Sequence, residues 1–320
     1  MVYTDARQRV YAPSDEFRHE ALFYAGLDDF VQRTSRFIRE GLNNDESILV
    51  AVSAQKIQAL QDELGQDAGR VHFADMAELG LNPARIIPAW HEFVDANTKV
   101  DRGFRGIGEP IWADRPPAEL VECQRHESLL NLAFANSGPW VLACPYDTQT
   151  LPADVIEEAY RTHPFVNNGS LGPSSIYHGL AEFSTPFDKP LPEPAASPQQ
   201  LFIAQKSQFF QARRFVAERA RAIGLSEERT ADLALAVNEV VTNSMRYGGG
   251  HASLRMWHEP DRVICEVRDG GGISEPLAGR VRPATSQDGG FGLWLVNQLC
   301  DLVQIRVLDG DSVIRMHVLR

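Results

Sequence analysis

Ala231–Gly248 reads ADLALAVNEVVTNSMRYG, and the organisation of the chain can be worked out from it. Leu233, Val237, Val240, Val241 and Met245 recur at helical spacing and mark one apolar face. Glu239 and Asn243 stand one turn apart on the other side, so their side chains point the same way. A carboxylate stacked on an amide can serve a metal–phosphate group, or it can be two ordinary solvated residues. The residues downstream of Gly248 decide between these readings.

Two glycine runs stand there. Arg268-Asp-Gly-Gly-Gly-Ile273 ends an alternating strand and carries an acid at its head, and Asp288-Gly-Gly-Phe-Gly-Leu293 leads directly into an apolar helix. Gly289, Gly290 and Gly292 let the backbone turn tightly and bring several N–H groups to a helix N-terminus, which is a ready anion site. Gly270–Gly272 let a ligand lie close against the backbone, and Asp269 can accept a hydrogen bond from an exocyclic amine there. Asn243 offers an oxygen to Mg²⁺, which takes a few protein oxygens plus phosphates and waters. Glu239 is placed to orient or deprotonate an attacking hydroxyl. The ordered set is far more specific than any one of its parts.

Around these motifs the pattern predicts helices over 209–223 and 291–301 and strands over 201–205, 251–258, 262–268, 302–308 and 312–319. Gly224 is expected as a C-cap and Ser226 as an N-cap. Three helices on one face of a mostly antiparallel sheet make an α+β sandwich.

Upstream, strands over 19–25, 47–53, 70–76, 104–112 and 140–146 alternate with helices over 27–42, 54–64, 83–97, 117–136 and 152–160. Pro88 is expected to delay the start of regular helix in 83–97. This alternation predicts an α/β domain built on a parallel sheet. No G-x-x-x-x-G-K-[ST] run occurs, so the half carries no visible phosphate loop. Ligands of such sheets bind beyond the carboxyl ends of the strands, which nominates His19, Tyr24, Glu109, Cys144, Tyr146 and Asp147. His126 and Glu127 are read as solvated or capping groups. Between them the halves leave STPFDKPLPEPAASPQQ, with five prolines and no periodicity, as an extended linker. The expected division is 1–182, a linker over 183–200, and 201–320.

Composition narrows the function classes. The net charge is −12 with no basic cluster, which argues against a nucleic-acid surface. No signal pattern opens the chain, and no apolar run approaches about 18 residues, so a cytoplasmic protein with no membrane span is expected. Cys123, Cys144, Cys265 and Cys300 are irregularly spaced and read as free thiols.

Residues from about His19 to Val166 resemble the MEDS sensory domain, through HEALFY, GIGEPIW, RHESLLNLAF and ACPYD. That resemblance implies a RecA-like fold without its phosphate loop, and sensing of a small-molecule ligand rather than catalysis. Residues from about Gln208 to Arg320 resemble the GHKL ATPase domain, in its anti-sigma-factor serine kinase branch, with NEVVTN matching the N box. The resemblance implies ATP and Mg²⁺ as cofactors. It implies Glu239 as general base, Asn243 as Mg²⁺ ligand, Asp269 and Gly271 at adenine, and Gly290, Gly292 and Leu293 near the phosphates. Ser312 stands where the family often has a Gly-Thr pair.

Ile273 replaces a glycine of the family pattern, and Gly310-Asp-Ser312 replaces the Gly-Thr pair. Only 16 residues, 273–288, separate the glycine boxes, a short lid that suits the anti-sigma branch. Arg280 and Arg282 lie in it, either within reach of phosphates or simply solvated. The implied partners are an anti-sigma-factor antagonist, phosphorylated on Ser or Thr, and a sigma factor; a homodimer is compatible with the reading. The alternatives are a regulator that exchanges partners without phosphate transfer and a histidine kinase. The second is disfavoured because no histidine occurs between His178 and His251.

Overall fold

A computed structural model describes residues 16–100, 102–179, 187, 189–195, 197–283 and 290–320. In chain order the elements are β1 (Arg18–Tyr24), α1 (Gly26–Asn43), β2 (Ser47–Val52), α2 (Ala54–Leu64), β3 (His72–Asp75), α3 (Met76–Leu79), α4 (Ile86–Thr98) and β4 (Phe104–Gly108). They continue with α5 (Pro117–Ala133), β5 (Val141–Asp147), α6 (Ala153–Thr162), β6 (Phe165–Asn167) and β7 (Leu171–Pro173). The rest are β8 (Gln199–Ile203), α7 (Phe209–Ile223), α8 (Glu227–Tyr247), β9 (Ala252–His258), β10 (Arg262–Asp269), α9 (Phe291–Leu299), β11 (Leu302–Leu308) and β12 (Asp311–Leu319). They fall into two compact units, each discontinuous in sequence. The first takes the described residues up to Asp75 with Phe93–Ala113 and Leu130–Gly179; the second takes Met76–Glu92, Asp114–Leu129 and the described residues from 187 on.

The first unit is built on a seven-stranded sheet of order β3-β2-β4-β5-β1-β6-β7. Its ladders are parallel except for β6 with β7. Every residue of β1 and β4 is buried, as in a parallel sheet covered on both faces, the polar Arg18, His19, Glu20 and Arg105 included. Phe30, Phe37 and Ile38 of α1 pack with Ile48, Val50 and Val52 of β2 and Ile107 of β4. The mainly parallel α/β architecture is as expected.

Several details differ from the sequence expectation. The β6–β7 hairpin has strands of three residues each, too short to show alternation. β4 stops at Gly108; Pro110 beyond it has no N–H to continue a ladder. Helix α4 begins at Ile86, before Pro88. A proline there removes only an N–H that the first helical turn leaves unpaired anyway. His126 and Glu127 are buried, not solvated.

The second unit holds a five-stranded sheet of order β11-β12-β10-β9-β8, antiparallel throughout. Val263, Cys265 and Val267 alternate onto the core face with Leu254, Met256, Ile314 and Met316, and meet Leu233, Val237, Val240 and Val241 of α8. Each large apolar side chain buried there contributes roughly 1.5–3 kcal/mol. Ser226 Oγ accepts from the Arg229 amide at 3.2 Å, and Gly224 closes α7 in the left-handed region at φ 93°. Asp309 and Gly310, at φ 55° and 91°, form the two-residue turn that pairs Leu308 with Asp311.

The proline-rich stretch is more than a spacer. The carbonyls of Lys189 and Pro192 accept from Arg306 and Arg315, and the Glu193 carboxylate binds Arg255 and Arg268. All four arginines belong to the antiparallel sheet. Fully buried Glu266 gathers Arg255, Arg268 and Arg315 around itself.

Candidate functional site

Asp269 ends β10, and its cross-strand partner in β12 is Ser312. Asp269 Oδ1 accepts from Ser312 Oγ at 2.8 Å and from the Gly271 amide at 2.9 Å, while Oδ2 accepts from Ser244 Oγ of α8. Two strands and a helix therefore fix one carboxylate, whose remaining lone pairs can still accept from a ligand N–H. Close backbone approach here demands glycine at two positions. A Cβ on Gly248 would collide with the Asp269 carboxyl group, and one on Gly271 would fall 2.7 Å from the Tyr247 carbonyl oxygen.

Beside this carboxylate lies a cavity of about 400 Å³, with Val240, Ile273, Leu293 and Ile314 as its apolar walls. Asn243, Asp269, Gly271, Gly290, Gly292 and Ser312 are among the other residues that line it. Gly290 caps α9 at φ 91°, a conformation that strains any side chain. The first-turn amides of α9 have no partner within the helix and suit an anion. Gly292 sits against the polar pair of α8: a Cβ there would lie 3.0 Å from Asn243 Nδ2 and 3.4 Å from Glu239 Oε2. Glu239 itself does not line the cavity; its carboxylate lies beside Gly292.

The tertiary structure thus gathers Glu239, Asn243, Asp269, Gly271, Gly290, Gly292, Leu293 and Ser312 at one place. Asp288 and Gly289 lie outside the described residues. Among the described residues lining the cavity, none is Lys or Arg. Arg280, expected near phosphates or in solvent, does neither. It is buried, paired with Glu122 at 3.4 Å, and burial pulls its guanidinium down to about 10. Arg282 stacks over Trp294 at 5.5 Å. Ser244 and Gly248 went unnoticed in the sequence. The signal for Gly248 was its place at the head of the Gly248–Gly250 run that closes α8.

In the first unit, Tyr24, Glu109 and Asp147 come together at the carboxyl ends of β1, β4 and β5. Tyr24 Oη donates to Glu109 Oε1 at 2.6 Å, and Lys56 Nζ donates to both Glu109 oxygens at 2.6 Å. Asp147 Oδ1 accepts from the Gly26 amide at 3.2 Å. Burial raises the pKa of Glu109, opposed chiefly by the Lys56 charge. Lys56 is a member of this cluster that sequence reasoning missed. His19 and Cys144 lie elsewhere, in the middle of the sheet, and Tyr146 is buried edge-on to His163.

An antiparallel sheet carrying three helices, with a glycine-flanked acid and a glycine-capped helix at one cavity, defines an ATPase domain of the histidine-kinase type. Comparison with known families agrees: residues 202–318 match the histidine kinase-like ATPase domain. Residues 18–164 match the MEDS domain, the MEthanogen/methylotroph, DcmR Sensory domain. The chain therefore has the architecture of a MEDS sensory domain joined to a GHKL-type ATPase domain, which fits a regulatory ATPase and implies nucleotide binding. A search of curated proteins finds no match. Among the described residues, no helix is long and apolar enough to cross a membrane.

Proposed function

We propose that this chain is a signal-responsive anti-sigma regulatory protein. It binds Mg-ATP, phosphorylates Ser or Thr of an anti-sigma-factor antagonist in the cytoplasm, and so sets the availability of a sigma factor. One observation carries the reading: Gly292 of the helix-capping glycine box lies against Glu239 and Asn243, across the same cavity that Asp269 closes. ATP with Mg²⁺ would supply the phosphoryl group and neutralise its charge. Asp269 accepts from the exocyclic amine of the base, and Gly271 and Ser312 hold that carboxylate in place. The first-turn amides of α9 take phosphate oxygens, and Asn243 holds the cation. Glu239, beside Gly292, accepts the proton of a hydroxyl delivered by the partner protein.

The anti-sigma assignment is supported by the NEVVTN motif and by the short span between the glycine boxes. The acceptor is placed on a partner protein because no histidine lies between His178 and His251. The test is incubation of the full chain with labelled ATP, Mg²⁺ and a candidate antagonist. Label on an antagonist serine or threonine supports the proposal. Label on this chain favours a histidine kinase, binding without transfer favours partner exchange alone, and absence of any ATP affinity ends the reading.

A further inference from the structure

His19, Cys144 and His163 of the first unit form a cluster that neither family match explains. His19 lies in β1 and Cys144 in β5, paired parallel strands, with Cys144 opposite Ala21. His163 follows α6 and leads into β6, which pairs with β1 on its other side. All three are buried. Their donor atoms lie within 4.8 Å of one another, and His19 Nε2 is 3.3 Å from Cys144 Sγ. Nitrogen and sulfur ligands on one tetrahedral zinc are about 3.5 Å apart, from the usual bond lengths.

The surrounding hydrogen bonds fix both tautomers. Asn131 Nδ2 donates to the Thr162 carbonyl, which turns Asn131 Oδ1 towards His19 Nδ1 at 3.1 Å. That oxygen can only accept, so His19 carries its proton on Nδ1 and presents the Nε2 lone pair to Cys144. His163 Nδ1 lies 2.8 Å from the Ala159 carbonyl oxygen, again a pure acceptor, so its Nε2 also presents a lone pair. Metal-bound histidines are oriented in this way, by a second hydrogen bond from the nitrogen that does not ligate.

We propose that His19 Nε2, His163 Nε2 and Cys144 Sγ bind one borderline-soft divalent cation of the zinc type, tying β1, β5 and the entry to β6 together inside the sensory domain. Two imidazoles with a thiolate select this class over magnesium or calcium, which take oxygen ligands. On binding, the Cys144 S–H bond breaks, the sulfur–metal bond forms and the proton leaves to solvent. A fourth position falls to water or a carboxylate. The proposal rests on the first unit alone and is independent of the kinase reading.

The test uses full-length protein freed of metal by chelator and titrated with Co²⁺, then Zn²⁺. The expected result is one thiolate-to-cobalt charge-transfer band saturating at one equivalent, abolished by Zn²⁺, with about one proton released per Zn²⁺. Cys144→Ser should remove the band, and His163→Gln should weaken Zn²⁺ binding at least tenfold, both with far-UV circular dichroism unchanged. A wild-type protein with no thiolate band overturns the proposal without recourse to any variant. So does a band that survives Cys144→Ser.

Discussion

At Asp269 a single carboxylate is held by a serine of α8, a serine of β12 and a backbone amide, so its replacement tests position and ligand recognition together. Asp269→Asn keeps an oxygen for part of this network but turns an acceptor into a donor. It should lower ATP affinity at least about tenfold in calorimetry, a loss of about 1.4 kcal/mol, with little change in melting temperature. Unchanged affinity would remove Asp269 from the base-recognition role. Glu239→Ala should leave ATP binding within about twofold and abolish label transfer to the antagonist, because a carboxylate that does not line the cavity contributes to the chemical step and not to binding. A third residue concerns stability. Glu266 neutralises three arginines in a buried setting, so Glu266→Ala should cost about 3–5 kcal/mol in urea unfolding. His317 gives a pH signature. Burial first, and then the Arg262 and Arg315 charges, pull it from 6.5 to about 3. The unfolded chain therefore binds a proton that the folded chain does not between those values. Stability should fall as pH drops below about 6.5, with a limiting slope near 1.4 kcal/mol per pH unit from this group. His317→Asn should flatten the wild-type curve between pH 7 and 5; an identical slope in both proteins would sink the assignment.

At the scale of elements, α9 shows how a short helix is placed to serve a site. Its cap Gly290 sits at φ 91°, and Gly292 in its first turn touches the polar pair of α8. Gly290→Ala should destabilise the domain by about 1–2 kcal/mol through left-handed strain alone. Gly292→Ala should behave differently. Its Cβ crowds the flexible ends of Asn243 and Glu239, which can yield, so melting should change little. The same shift displaces the groups assigned to cation and base, and phosphoryl transfer should fall on the order of tenfold or more. Equal effects of the two substitutions on melting would show that the second glycine is structural only.

At the scale of the molecule, the unit that contains the ATPase sheet also includes Met76–Glu92 and Asp114–Leu129. Within it, Arg85 donates to the carbonyls of Asn297, Gln298 and Cys300 at the end of α9, and Glu122 receives Arg280 and Arg306. A fragment of residues 201–320 lacks these partners and the Glu193 carboxylate, leaving buried arginines without counter-charge. Its unfolding midpoint in guanidinium should fall well below that of the same unit in the full chain. A fragment as stable as the full chain would show that the unit is carried by 201–320 alone.

The sequence by itself determined both sheet types, the helix α8 with Glu239 and Asn243 one turn apart, and the caps Ser226 and Gly224. These depend on periodicity and local backbone chemistry, which neighbouring residues fix. The glycine boxes were legible for the same reason: Gly290 adopts a positive φ, which glycine reaches without the strain a side chain would bring. Only the tertiary structure decided which polar groups meet across distant strands. Ser244 and Gly248 against Asp269, Lys56 on Glu109, the burial of Arg280, and the meeting of His19, Cys144 and His163 all join residues far apart in the chain. A side chain's local sequence sets the direction in which it leaves its helix or strand. What it finds there depends on strand order and on what packs above, and no short-range pattern records either.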